Sequence, residues 1–425
     1  MPRSFRVPRL SINELALLFL SVAILFMQPL KTANPLLSYI DEVVILICFL
    51  AYIISLLIKK RTMTKLEPKI IMLFFLFIIV GLIGNFTSGV ERSSSAIITD
   101  IISYSKFIVV SLGGLCLFNR KRPVEAIYSI TLRIVHLLVF VGLFLALANQ
   151  VVDLGMRDDI RYGIHCFKFI YDSAAVFSWY CYMFLLVLTI DLLRGISLSK
   201  IIYIAMDMLM WVFTGRSRGF AFMAIYFILL IILRMNEMRK KQMKIRIRYF
   251  VILGALALAV AWNQIIFYFT TATQARNILL TVGFRLMRQF FPFGAGLGTF
   301  GTAAAQKYYS PIYSMYGISN IYGFTHDNPL YLTDTFWPAV IGEIGIIGLI
   351  IYAFILFYVF KHLYKHIALD NISRFIMIFV IVSMLGSSIA TSVFAQNATI
   401  GDIFYLCMIP TLIGGNKKYE RETKH

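Results

Sequence analysis

The sequence predicts an all-α polytopic membrane protein of about twelve transmembrane helices, with one long loop on a single face. Three observations predict it. Twelve apolar stretches alternate with mostly short polar loops along the 425 residues, and roughly 20 apolar residues carry a helix across a bilayer. The composition is 60% hydrophobic, more than a soluble domain of this length could cover with polar surface. Basic residues fall in every second loop, the asymmetry that fixes the orientation of a membrane chain.

The spans are expected near 12–30, 42–58, 70–86, 97–118, 124–148, 174–193, 200–214, 219–233, 249–269, 336–360, 374–393 and 398–415. They make one integral membrane domain, 1–425. The inner loops hold Arg3, Arg6 and Arg9, then Lys59, Lys60, Arg61, Lys65 and Lys69, then Arg120, Lys121 and Arg122. Arg194 and Lys200 follow, then the run Arg234 to Arg248, then Lys361, Lys365 and Arg374, and finally Lys417 to Lys424. This pattern places both termini in the cytoplasm and requires an even number of spans. The net charge of +19 is spread over these loops rather than gathered on one soluble face, which argues against a nucleic-acid partner. The first apolar stretch has a basic N-terminus like a signal peptide. It lacks a convincing small-x-small cleavage site, and Pro29 and Pro35 bracket its exit, so a retained helix is expected. Cys48, Cys116, Cys181 and Cys407 fall within spans and Cys166 stands alone in an outer loop. Neither a disulfide frame nor a metal-ligand spacing follows.

Two outer loops are long, 149–173 and 270–335, the second lying between the ninth and tenth spans. The second contains an amphipathic stretch from Asn277 to Phe291, a glycine cluster from Gly294 to Gly301 and a tyrosine-rich segment. A long loop with its own periodicity is usually functional. No internal repeat relates the two halves, as it does in many transporters.

The candidate chemistry gathers on this outer side. In Thr214-Gly215-Arg216-Ser217-Arg218-Gly219, two guanidinium forks stand at a helix end where the charge rule places no cations. Such forks fit phosphate oxygens, and the helix that follows offers free N–H groups to an anion. Lipid-headgroup contact by snorkelling arginines is the alternative. Arg285 and Arg288 are three residues apart and share a helix face, either as further anion ligands or as an interfacial face. Gly296-Leu297-Gly298-Thr299-Phe300-Gly301 spells GxGxxG without a βαβ context. It is expected to be a tight turn that brings backbone close to the membrane or a ligand, not a dinucleotide site. His326, Asp327 and Asp334 form the compact group of candidate bases, with a helix-capping role open for Asp334. Glu343 lies within a span, where a carboxylate is expensive, and it faces either a cavity or a structural Arg or Lys. Asp100, Lys106, Arg133, His136, Asp191 and Asp207 are expected to pair structurally. No metal site of ordinary spacing is present in the sequence, so charge on a leaving diphosphate would fall to arginine.

These residues resemble a known superfamily. The Ser217-Arg218-Gly219 core is similar to the arginine motif of the O-antigen ligase and Wzy-type polysaccharide polymerase superfamily. Arg285-Leu286 followed by Phe291-Pro292-Phe293-Gly294-Ala295-Gly296-Leu297-Gly298 resembles its second arginine motif and glycine turn. Asp334 through Glu343-Ile344-Gly345-Ile346-Ile347-Gly348 resembles its closing motif. In ligases a His-Asn pair precedes the closing glutamate, where this chain has Asp334-Thr335-Phe336-Trp337. Asp41-Glu42, and Asp100 with Lys106, also look polymerase-like. The resemblance implies a GT-C-like fold in the bacterial inner membrane and metal-independent glycosyl transfer without a cofactor. A growing glycan would pass from undecaprenyl diphosphate to a lipid-linked repeat unit on the outer face. Arg216, Arg218, Arg285 and Arg288 would hold the diphosphate. Asp334, His326, Asp327 or Glu343 would serve catalysis. Tyr322, Tyr331 and Trp337 would stack on sugars, with an interfacial aromatic belt as the alternative for the tyrosines. A chain-length regulator protein and membrane lipids are the further expected partners. The competing readings are a ligase acting on lipid A-core and a lipid-linked oligosaccharide flippase.

Overall fold

The computed structural model describes residues 11–34, 37, 39–58, 61–118, 121–241, 243, 255, 262, 266–268, 270–396 and 398–413. Among the described residues nine α-helices precede residue 240: α1 (Ile12–Leu25), α2 (Met27–Ala33), α3 (Ile40–Leu57), α4 (Glu67–Ser88), α5 (Ser94–Leu117), α6 (Lys121–Val151), α7 (Ala174–Arg194), α8 (Leu198–Val212) and α9 (Ser217–Met238). Then come α10 (Ala275–Gln289), the short α11 (Ala303–Lys307) and α12 (Ile312–Met315), α13 (Trp337–Ile367), α14 (Asn371–Ser387), α15 (Ala398–Leu406) and α16 (Ile409–Leu412). Among the described residues strands occur only in an antiparallel hairpin, β1 (Arg157–Arg161) and β2 (Ile164–Phe167).

This is a multi-pass membrane protein. Among the described residues α3, α4, α5, α6, α7, α9 and α13 are each long and apolar enough to cross a bilayer. The first expected span is instead two helices, α1 and α2, bent by 83° about Phe26. The seventh is short: α8 has 15 residues, about 23 Å of helix. The expected span near 249–269 lies largely outside the described residues. Lipid-facing surface is plainest on α4, where Met72, Phe75, Leu76, Ile79, Leu82, Ile83 and Phe86 are exposed while Ile70, Phe77 and Val80 are buried. That spacing is one helix face, and an apolar face this continuous suits hydrocarbon rather than water.

The centre of the fold is a joint between α13 and the glycine cluster. Gly345 leaves the helical conformation (φ 64°, ψ −162°), so the carbonyls of Gly342 and Glu343 turn outward. The N–H groups of Ala295 and Gly296 donate to them at 2.9 and 2.7 Å. A side chain at Gly294 would press on the Glu343 carbonyl at 2.5 Å, in a backbone with φ +75°. Only glycine supplies that conformation without strain. Asn85 of α4 brackets Leu297, donating to its carbonyl at 3.0 Å and accepting from its N–H at 2.9 Å. Ser88 donates to the Ala295 carbonyl at 2.8 Å.

Gly294 to Thr302 is therefore buried throughout, inserted between α4, α5 and α13. The expectation of a turn presented to membrane or ligand is corrected. Irregular backbone at this depth is tolerated when protein surrounds it and its polar groups are paired.

The rest of the long outer segment is a compact cap rather than an open loop. Leu279, Val282 and Leu286 of α10 pack with Ala305, Ile312, Tyr313, Ile318, Phe324 and Leu332 in a second apolar core. At the opposite end of the bundle the basic 61–69 segment meets the end of α13. Arg61 grips Glu67 with two hydrogen bonds, 3.0 and 2.9 Å, Tyr52 donates to the same carboxylate at 2.9 Å, and Thr64 reaches His362 at 3.5 Å.

Candidate functional site

The turn between α8 and α9 carries the first arginine pair. Gly215 bends it with φ +62°, and the β1–β2 hairpin packs over it, with the Phe167 N–H donating to the Phe213 carbonyl at 2.8 Å. The hairpin turn is Tyr162-Gly163, both at positive φ, as two-residue hairpin turns require. Arg216 donates to Asp158 at 2.8 Å and to Asp159 at 3.0 Å. Asp159 also accepts from Arg161 at 2.6 Å. Burial alone would push Asp159 up, but the Arg161 hydrogen bond and the Arg216 charge outweigh it and hold the carboxyl below its ordinary value. Arg216 is thus locked to the hairpin, not free at a bare turn.

Arg218 points the other way. It donates to the Ala175 carbonyl at 3.1 Å, and its guanidinium lies over the Trp179 ring, 5.2 Å from the centroid. Its charged neighbours are Arg216, Arg276 and Asp402. Arg276, in the first turn of α10, donates to the Ala390 carbonyl at 3.5 Å and lies over Tyr268 at 4.4 Å. Its charge also reaches Asp334. Burial pushes the Asp334 carboxyl up to about 6, against the pull of Arg276. Asp334 does not cap α13, whose N-cap is Phe336. Trp337 closes this rim, its indole N–H donating to Ser388 at 2.9 Å.

The rim therefore joins Arg216, Arg218, Arg276, Asp334 and Trp337 from three segments of the chain. Arg285 and Arg288 do not join them. They share a face of α10 as their spacing requires, but that face is exposed, because Leu279, Val282, Gly283 and Leu286 turn the other side inward. Nine and twelve residues separate them from Arg276, about 14 and 18 Å along the axis. Arg285 sits near Tyr316 instead.

The expected group of bases is also divided. The His326 and Asp327 side chains are 76% and 100% exposed on the cap, 3.4 Å apart, with His326 against the edge of Tyr309. Tyr322, 69% exposed, packs with Tyr331, which also meets Phe324; both tyrosines belong to the cap. Glu343 is fully buried, and among the described residues the charge of half-buried Arg92 reaches it without a direct ion pair. It accepts from the Phe300 N–H at 2.9 Å, from Thr302 at 3.2 Å and from Tyr104 at 3.0 Å, so it anchors the inserted glycine segment. Asp100 does the same work beside it, accepting from the Gly298 N–H at 2.8 Å. A cavity of about 90 Å³ adjoins this anchor, lined by residues that include Tyr104, Thr302, Gln306, Thr333, Phe336 and Gln396. Lys106 pairs with Asp41 at 2.9 Å, and Lys31 binds the same carboxylate.

Two rim partners escaped the sequence reading. Arg276 lacks a motif, and its helix could be placed only by the packing of α10 on α13. Asp402 is a lone carboxylate inside an apolar run, a signal that was available. No family model matches this chain, and no curated protein matches it.

Proposed function

We propose that this protein is a polysaccharide polymerase of the outer face of a bacterial inner membrane. It transfers a growing glycan from undecaprenyl diphosphate to a lipid-linked repeat unit without metal. One observation carries the reading: Arg216, Arg218 and Arg276 converge at one bundle end beside Asp334. Guanidinium forks at a membrane boundary can grip a diphosphate whose lipid stays in the bilayer. They also stabilise it as a leaving group. Asp334, half-buried and charge-linked to Arg276, would take the proton from the attacking hydroxyl. Trp337 would present its ring to a sugar. The reading takes the basic 61–69 and 361–374 end as cytoplasmic. It takes twelve spans and a GT-C-like arrangement, in which α1–α2, α8, the 249–269 segment, α14 and α15–α16 cross beside the seven long helices.

The test is elongation in vitro. Purified protein mixed with a purified lipid-linked repeat is expected to make longer glycans without ATP or added metal, and single repeats alone would refute the reading. A phosphatase reporter fused after Gly219 is expected to be active outside the cytoplasm. A second reading, a lipid-linked oligosaccharide transporter, is favoured by one feature. The Lys31–Asp41–Lys106 triad places charge about 18 Å along α5, where intramembrane ionisable groups often mark a pathway. Translocation without elongation in proteoliposomes would select it.

A further inference from the structure

Beneath Arg218 the bundle holds a set of buried polar atoms with no hydrogen-bond partner among the described residues. They are both carboxylate oxygens of Asp402, the indole N–H of Trp179, and the hydroxyls of Tyr182, Ser383 and Ser387. They come from α7, α14 and α15. Asp402, Tyr182, Ser383 and Ser387 have no exposed surface, and Trp179 is nearly as buried. Ser383 and Ser387 are one helical turn apart on α14 and share a face. The Tyr182 hydroxyl lies toward Ser383, and Tyr180 and Tyr182 both feel the Asp402 charge. Buried polar atoms in a folded protein are normally paired, so a cluster of orphans asks for an occupant.

The charges around this floor sharpen the point. Arg216 and Arg161 are ion-paired with Asp158 and Asp159, whereas Arg276 and Arg218 lie within reach of the Asp334 and Asp402 charges without a direct ion pair. Four carboxylates thus stand among four arginines, and the rim carries no excess positive charge when all of them are ionised. An incoming diphosphate diester brings two negative charges. With every carboxylate ionised, it would meet Asp402 across Arg218 in a low-dielectric setting, where like-charge repulsion is severe. Protonating Asp402 removes that repulsion. It also gives the carboxyl a donor for its hydroxyl neighbours and leaves Arg218 free for the anion.

We infer that Asp402 is a positioning residue, the resident counter-ion of Arg218, and that the anion enters this site together with one proton. This rests on the arginine rim being the diphosphate site, and it predicts a behaviour that reading does not require. The titratable and charged groups facing Asp402 are Arg218 from α9 and Tyr180 and Tyr182 from α7.

The experiment is calorimetric titration of the full-length protein in detergent with a farnesyl methyl diphosphate diester, which has no group that titrates near neutral pH. Runs at pH 6 to 9, in two buffers of different ionisation heat, count the protons taken up. An Asp334→Asn background removes the other rim carboxylate that titrates in this range. The expected result is uptake of about one proton, with affinity falling ~tenfold per pH unit over part of the range. Asp402→Asn should bind at least as tightly at high pH, with no uptake and a flat pH profile. If the diester binds, is weakened by Arg218→Ala, and shows no proton uptake in the Asp334→Asn protein, the inference falls while the arginine site stands. If the diester does not bind at any pH, both fall. Should Asp402→Asn fail to fold, the proton count on the Asp334→Asn protein decides alone.

Discussion

Two polar regions sit inside this membrane bundle, and they use their hydrogen-bonding capacity differently. At the joint of α13 with the glycine segment, both oxygens of Glu343 are engaged, and the freed helix carbonyls accept from loop amides. At the arginine rim, Asp402 has neither oxygen engaged, and Arg216 and Arg276 each keep a buried Nε without a partner. The first region is a joint whose motif residues hold the architecture. The second keeps capacity in reserve. Polar density alone does not mark chemistry in a membrane protein: the joint also keeps one Asp100 oxygen and two Arg92 nitrogens without a partner, and the rim differs from it in holding a carboxylate with neither oxygen engaged.

Breaking the rim should have the largest effect. Arg218→Ala is expected to lower elongation ~1000-fold or more, comparable to removing an essential transition-state charge partner, with protein level and topology unchanged. Arg218→Lys should rescue poorly, because lysine lacks the fork. Glycan ladders on gels measure both, and normal long chains from the alanine variant would overturn the contrast. Breaking the joint should act on folding instead. Gly294→Ala forces a side chain onto the Glu343 carbonyl and is expected to cost ~3 kcal/mol or more. It should appear as lost yield and a lowered melting temperature in detergent.

Asp334 supplies a pH test of intermediate size. The base role proposed for it requires the ionised form, and burial has raised it from its ordinary 3.8 to about 6. Elongation should therefore climb through pH 6 and level off above it. Asp334→Asn should lose ~100-fold at pH 7 and also lose that acid limb. The stability consequence runs the opposite way. An aspartate with a raised folded value is least costly when protonated, so its contribution falls as pH rises from about 4 to about 6. The smallest effect is expected on the exposed face of α10. Arg285→Ala with Arg288→Ala should change elongation less than about twofold, since exposed charges far from the anion are screened. A large loss there would move the site onto the cap.

The seven long spans were legible in the sequence, because apolar length is a local signal. The Arg216–Arg218 junction was legible too, as two cations at a glycine-flanked break between apolar runs. Spacing told that Arg285 and Arg288 share a face but not which way it points; the position of Leu279, Val282 and Leu286 decided that. Arg276 meets Arg218 only through tertiary packing, which one sequence does not carry. The glycine motif read as a surface turn because its partners, Asn85, Asp100 and Glu343, lie from some 40 to more than 200 positions away in the chain. The Tyr162-Gly163 hairpin had a local signal, an X-Gly pair between two short extended runs, overshadowed by the helical setting.

The docked glycine segment also constrains how the protein comes together during synthesis. Residues 294–302 emerge before Gly342 and Glu343, the carbonyls they must satisfy. Until α13 arrives, the Ala295, Gly296 and Phe300 amides have no partner, although α4 and α5 already offer Asn85, Ser88 and Asp100 to the same stretch, and until the stretch docks, α13 keeps an open break. Neither piece is complete when it leaves the ribosome, so biogenesis must end with the later helix closing around the earlier segment.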